Sequence, residues 1–274
     1  MLFLYEILLL FATALVVGLI GNLVGIGGGV LIMIILLFGF KMQPVLAGGL
    51  SLLTILASAS VGTLSNIMQR ALSKELFSLI AVFAGAGVLL GSIIPYLLNT
   101  KSFDTLFGFV SIGIGLFSIL AARRDAKKIR NIERSFTSLS KKEKEAAKKV
   151  KGKVGIGSFS FIAGLIAGTF GIGIGGIVGT YLTAIKKMQP KVAFSTVLAA
   201  MIITSLLGSS AHLISIKGSM LLLGMIVALM VGVAIGAVAG SHISSRIKSS
   251  RLRLAQGYII LSLGIIAIIF SIGM

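Results

Sequence analysis

The chain has 274 residues, of which 57% are apolar and 12% charged, with a net charge of +18 and a mean hydropathy of +1.11. A soluble domain carries about twice that share of charge, and an outer-membrane barrel would alternate polar and apolar residues over strands of roughly 10 residues. The composition therefore points to an all-α, polytopic helical membrane protein. The lack of cysteine removes disulfides, thiolate metal sites and cysteine nucleophiles. Two histidines, His212 and His242, argue against a metal cage within one chain.

Residues 2–20 are apolar but lack the basic start of a signal peptide, so they read as a retained membrane helix. A glycine cluster, Gly25, Gly27, Gly28 and Gly29, follows, and the apolar run after it, residues 28–40, is short for a perpendicular span. Runs long enough to cross a bilayer are then expected at residues 45–67, 76–98 and 103–122. Residues 123–152 are polar and basic, with Ser140 and Glu143 spaced as a capping box that predicts a short helix to about Lys151. Next come residues 154–170, a second glycine cluster (Gly171, Gly173, Gly175, Gly176), the short run 174–186, and spans at 191–214, 219–241 and 254–273. Each glycine-broken pair is either a bent two-span hairpin or a re-entrant one. In all, the chain offers eight to ten membrane segments.

The second half repeats the first at a constant offset of 146 residues, without a gap. Gly25, Ile26, Gly27, Gly29, Lys41, Met42, Gln43, Pro44 and Ala47 fall on Gly171, Ile172, Gly173, Gly175, Lys187, Met188, Gln189, Pro190 and Ala193. We read three units: a first membrane repeat at 1–122, a basic cytoplasmic loop at 123–152 and a second, inverted repeat at 153–274. Inversion follows from charge. With the loop in the cytoplasm, 22 of the 25 Lys/Arg face inward and only Lys41, Lys101 and Lys217 face outward, as the positive-inside rule requires. The two Met-Gln-Pro junctions then lie on opposite sides, both termini are extracytoplasmic, and the membrane is the plasma membrane. The same distribution accounts for the basic charge without nucleic acid, and the loop is expected to touch anionic lipid headgroups.

Candidate ligand-binding groups follow from the breaks. Unwound backbone survives at membrane depth only when buried in protein or lining a cavity, and helices resuming after Gly25–Gly29 and Gly171–Gly176 present free N–H groups suited to an anion. The amides of Gln43 and Gln189 could donate to an oxyanion without carrying charge, or brace the helix that follows. Ser51, Thr54, Ser58, Ser195, Thr196 and Thr204 offer hydroxyls, although such groups often bond back to their own helix. Asn66 and His212 are equivalent by the repeat, and His212 could contact the anion, carry a proton, or serve as an ordinary hydrogen-bonded interface histidine. Gly85, Gly87, Gly91, Gly232, Gly236 and Gly240 read instead as helix-packing positions. None of the seven acidic residues is clearly mid-span, which favours an anionic or neutral substrate over a cation.

The runs GLIGNLVGIGGGVLIMIILLFGF and GLIAGTFGIGIGGIVGTYLTAI, the latter with AFSTVLAAMIITSLLGSSAHL downstream, resemble the TauE/SafE family over residues 15–122 and 155–273. The resemblance implies a plasma-membrane transporter, with no cofactor, for a small sulfur-containing oxyanion such as sulfite, sulfoacetate or a related sulfonate, alongside permeases of the 4-toluene sulfonate uptake kind. Ile174 stands where the first repeat has Gly28, a departure expected to change the site's shape. The reading is a secondary transporter exporting the anion by alternating access. The alternatives are an anion channel or an uptake permease for a different small anion.

Overall fold

The computed structural model describes residues 2–24, 27–67, 72–132, 153–214, 216, 220–244 and 249–273. They form α1 (Leu2–Val24), α2 (Gly29–Ile34) running into a π-helical turn (Ile35–Gly39), α3 (Pro44–Ile67), α4 (Lys74–Gly91), α5 (Ile94–Leu97) and α6 (Thr100–Ile132). After the basic segment come α7 (Lys153–Phe170), α8 (Gly175–Thr180) with its π turn (Tyr181–Ile185), α9 (Pro190–Leu213), α10 (Met220–Ser244) and α11 (Ser249–Gly273). Helix is what a bilayer demands of a chain whose backbone must satisfy itself. Seven of the described helical stretches are long and apolar enough to cross a membrane.

The spans expected at 76–98 and 103–122 stand, as Lys74–Leu97 and Thr100–Arg123, but their helices differ from the expectation. The run 76–98 breaks between Gly91 and Ile94. Pro95 lacks an N–H, and its ring would strike the carbonyl of Gly91 four residues back. The run expected at 103–122 starts at Thr100 and continues as helix to Ile132. Arg, Lys and Ala there are good helix formers, and an apolar count stops where the membrane does, not where the helix does. The proposed capping box at Ser140 and Glu143 lies outside the described residues.

The repeat is structural as well as verbal. α2, its π turn and α3 reappear as α8, its π turn and α9, each displaced by 146 residues. The shared Lys-Met-Gln-Pro is a stop and a start. Lys41 and Lys187 take left-handed backbone, φ 50° and 56°. The following Met42 and Met188 donate their N–H back to the Leu36 and Leu182 carbonyls, both at 3.0 Å, as in a helix C-cap. Gln43 and Gln189 then accept the first bond of the next helix from Ala47 and Ala193, at 2.9 and 3.0 Å. Proline takes the first-turn position, where no N–H is needed.

The halves interlock, with the most extensive helix pairings formed across them. Gly232, Gly236 and Gly240 of α10 press on Phe11, Leu15 and Leu19 of α1. Gly87 and Gly91 of α4 press on Phe161 and Leu165 of α7, while Gly164 and Gly168 press on Ala84 and Val88 in return. These positions bear out the packing role, because any Cβ there would collide with a facing backbone carbonyl. In both pairs the numbers rise together, so the helices are parallel. α3 against α9 runs the other way: Gly48 meets His212, Leu52 meets Gly208 and Gly62 meets Leu198. α6 against α11 does the same, from Gly108 with Ile268 to Ile119 with Gly257. Large apolar side chains such as Val82, Phe109, Leu120, Val231 and Ile269 point outward, the surface a helical bundle shows to lipid.

Candidate functional site

The two glycine breaks meet at the centre of the bundle. Each returning arm, α2 or α8 with its π turn, has 11 residues, or about 16 Å at 1.5 Å per residue. That is roughly half of a ~30 Å hydrocarbon core, too short to cross it alone. Gly27 and Gly28 sit at φ 75° and 80°, Gly171 and Gly173 at 63° and 72°, a region open to glycine at little cost. Gly29 abuts the other tip so closely that a Cβ on it would stand 2.7 Å from the Ile172 carbonyl oxygen.

Ile55 and Met201, equivalent by the repeat, lie between the tips. A Cβ on Gly173 would stand 3.1 Å from Ile55 Cδ1 and 3.3 Å from Met201 Cε, and one on Gly27 3.0 Å from Met201 Cε. The departure at Ile174 has the expected consequence. Where Gly28 is left-handed, Ile174 is right-handed at φ −84° and fully buried, so the two tips differ in shape.

Of the hydroxyls, Ser51 reaches both tips. It is fully buried, and its Oγ donates to the Gly171 carbonyl at 2.6 Å and lies 3.2 Å from that of Gly29. Its repeat mate is Val197, so this bridge exists once. Thr54 bonds back to Ser51 O at 2.6 Å and Thr204 to Met201 O at 3.3 Å. Thr196 bonds to Val192 O at 2.7 Å and accepts the Ser73 N–H at 3.1 Å, which ties α9 to the start of α4. Ser58 and Ser195 are buried. Gly175 and Gly176 open α8 and are buried.

Two other predicted groups, Gln43 and Gln189, stand apart from the tips. Both are exposed, each beyond the far end of its returning arm. They occupy the helix-bracing position rather than the centre, because the left-handed lysine turns the chain before it can re-enter. His212 is fully buried in the last turn of α9. Its Nε2 is 2.7 Å from the Gly168 carbonyl, which can only accept, so this nitrogen carries the hydrogen. The ring lies over Gly48, and Tyr96 donates to the His212 carbonyl at 3.0 Å. This histidine clamps α3, α7 and α9 together. Asn66 lies in the last turn of α3, with its side chain outside the described part, and Gly25 falls outside the described residues.

The profile of the family described as "Sulfite exporter TauE/SafE" matches residues 10–267, nearly the whole chain. The chain belongs to the TauE/SafE family. It is therefore a multi-pass membrane transporter of the sulfite exporter family. It is also similar to a protein of Bacillus subtilis (strain 168) described as "Probable membrane transporter protein YunE", with 26% identity over 268 residues, covering 93% of this chain and 95% of that one. No solved structure matches it.

Two polar groups of this TauE/SafE protein escaped the sequence reading. Asn22 of α1 donates from Nδ2 to Ser58 Oγ at 2.7 Å, fastening the first arm to α3. Gln256 of α11 is fully buried beside Gly176, and neither atom of its amide has a hydrogen-bond partner. The available signal for each was a lone amide inside an apolar run.

Proposed function

We propose that this protein is a secondary transporter exporting a small sulfur-containing oxyanion, of the sulfite or sulfonate class, across the plasma membrane by alternating access. The observation that carries the reading is the tip-to-tip meeting of two glycine hairpins, with Ser51 bridging Gly29 and Gly171. Backbone N–H groups of Gly28, Gly29 and Gly173–Gly176, with nearby hydroxyls, would hold the anion without a buried cation.

The antiparallel courses of α3 with α9 and of α6 with α11 support inverted repeats. Helices that are equivalent by sequence yet run oppositely are related by a two-fold axis in the membrane plane, the plan of many secondary transporters. In this reading rocking of the bundle alternates access, the loop 123–152 is cytoplasmic and both termini are outside.

The test is flux of radiolabelled sulfite and sulfoacetate in vesicles reconstituted with the full chain. Saturable flux with exchange against unlabelled anion is expected. Gly27→Leu and Gly173→Leu should abolish it, since both need left-handed backbone and both crowd Met201. Linear, non-exchanging flux would identify a channel instead. Unimpaired transport in either variant would sink the placement of the site.

A further inference from the structure

Gln256 is an amide buried with nothing to bond. Its residue is fully inaccessible, and both Nε2 and Oε1 lack a partner. Buried amides are nearly always paired, because an unpaired one forfeits its hydrogen bonds to water without replacement. The side chain is aimed at the second hairpin: a Cβ on Gly176 would stand 2.7 Å from Nε2. Glycine at 176 therefore makes the room that the amide occupies. The first half has no counterpart, since the repeat mates of Gln256 and Gly176 are Val110 and Val30.

Ser51 is one-sided in the same way, with Val197 as its mate, and it too engages the second hairpin, at Gly171. Two polar groups from different helices thus reach the second tip of an otherwise duplicated centre, and Ser51 touches the first tip as well, at Gly29.

The geometry points to Gln256 as a substrate-contacting residue that makes the site asymmetric and selects anions carrying a hydrogen-bond donor beside the oxyanion. This rests on the anion-transport reading above. Nε2 donates only and Oε1 accepts only, so a bare oxyanion satisfies one atom and leaves the other empty. A hydroxy- or ammonio-sulfonate, or hydrogensulfite, satisfies both. A site built to bond a substrate hydroxyl rejects the analogue lacking it, because the buried partner is then left unpaired.

The experiment is titration calorimetry on the purified full chain with isethionate and ethanesulfonate, which differ by one hydroxyl, and with sulfite as reference. Wild type should bind isethionate about 10- to 100-fold tighter than ethanesulfonate, the range of one buried hydrogen bond. Gln256→Leu should lose that preference by weakening isethionate alone. Gly176→Ala, which crowds Nε2 without deleting it, should weaken isethionate in the same direction. Wild-type affinities and preference retained in both variants would overturn the inference while leaving the transport reading intact.

No binding of any sulfur anion to wild type would instead count against the transport reading. The melting temperature of ligand-free Gln256→Leu then decides separately. At or above that of wild type, it fits an amide that waits for a ligand, since deleting an unpaired buried group relieves its desolvation cost. Below wild type, it shows an amide that serves the resting fold and overturns the assignment.

Discussion

Gly29→Ala tests whether the two hairpins meet as described. Gly29 is outside the left-handed region and opens α2, so alanine suits its backbone and adds helix propensity of up to about 1 kcal/mol. Space opposes it. The new Cβ would stand 2.5 Å from Ile55 Cδ1, 2.7 Å from the Ile172 oxygen and 2.9 Å from the Ile172 carbonyl carbon. Ile55 can swing its terminal methyl aside. The Ile172 backbone cannot move without dragging the tip that Ser51 holds at Gly171.

Overpacking of this kind costs about 1–3 kcal/mol, which leaves a net loss of up to about 2 kcal/mol after the full propensity gain. For a chain of this size that corresponds to a fall of up to about 8 °C in melting temperature. The chain has neither tryptophan nor cysteine, so indole fluorescence and thiol dyes report nothing. The assay is helical circular dichroism in detergent. Gly113→Ala on α6 is the control, since no atom lies within 4 Å of its added Cβ. It should melt at or above wild type. Should Gly29→Ala melt as high as Gly113→Ala, the close approach of the tips is wrong.

Two further outcomes are expected. Ser51→Ala strands the buried Gly171 carbonyl and should cost about 1–3 kcal/mol, read by the same melt; an unchanged midpoint would deny the bridge. Lysines 101 and 187 are both exposed, and in a chain without native cysteine Lys101→Cys should react with an impermeant maleimide in intact cells, Lys187→Cys only after permeabilisation. The reverse pattern would overturn the proposed orientation.

Helical class, most membrane segments and the repeated breaks were legible in the chain because their causes are local. An apolar run about 20 residues long must be helical in lipid, glycine permits the left-handed tips, and Lys-Met-Gln-Pro stops one helix and starts another. Even Ile174 announced an altered tip from its own position. Pro95 broke a run that hydropathy alone read as continuous.

What a side chain touches was not local. Gln43 and Gln189 looked like ligand groups by repetition, yet the turn they complete leaves them exposed. His212 was readable as a proton carrier or as a hydrogen-bonded interface histidine, and only the fold set it against the Gly168 carbonyl, 44 residues away in sequence. Gln256 drew no notice in the sequence, and only the tertiary placement of α11 buried it beside Gly176. The sequence alone determined which segments lie in the membrane and where they break, since hydropathy and backbone preference act over a turn or two of helix. Tertiary structure alone decided that Ser51 spans both tips and that Gln256 lies at the second, since that depends on helices far apart in the chain being brought together by glycine-lined, interlocking halves.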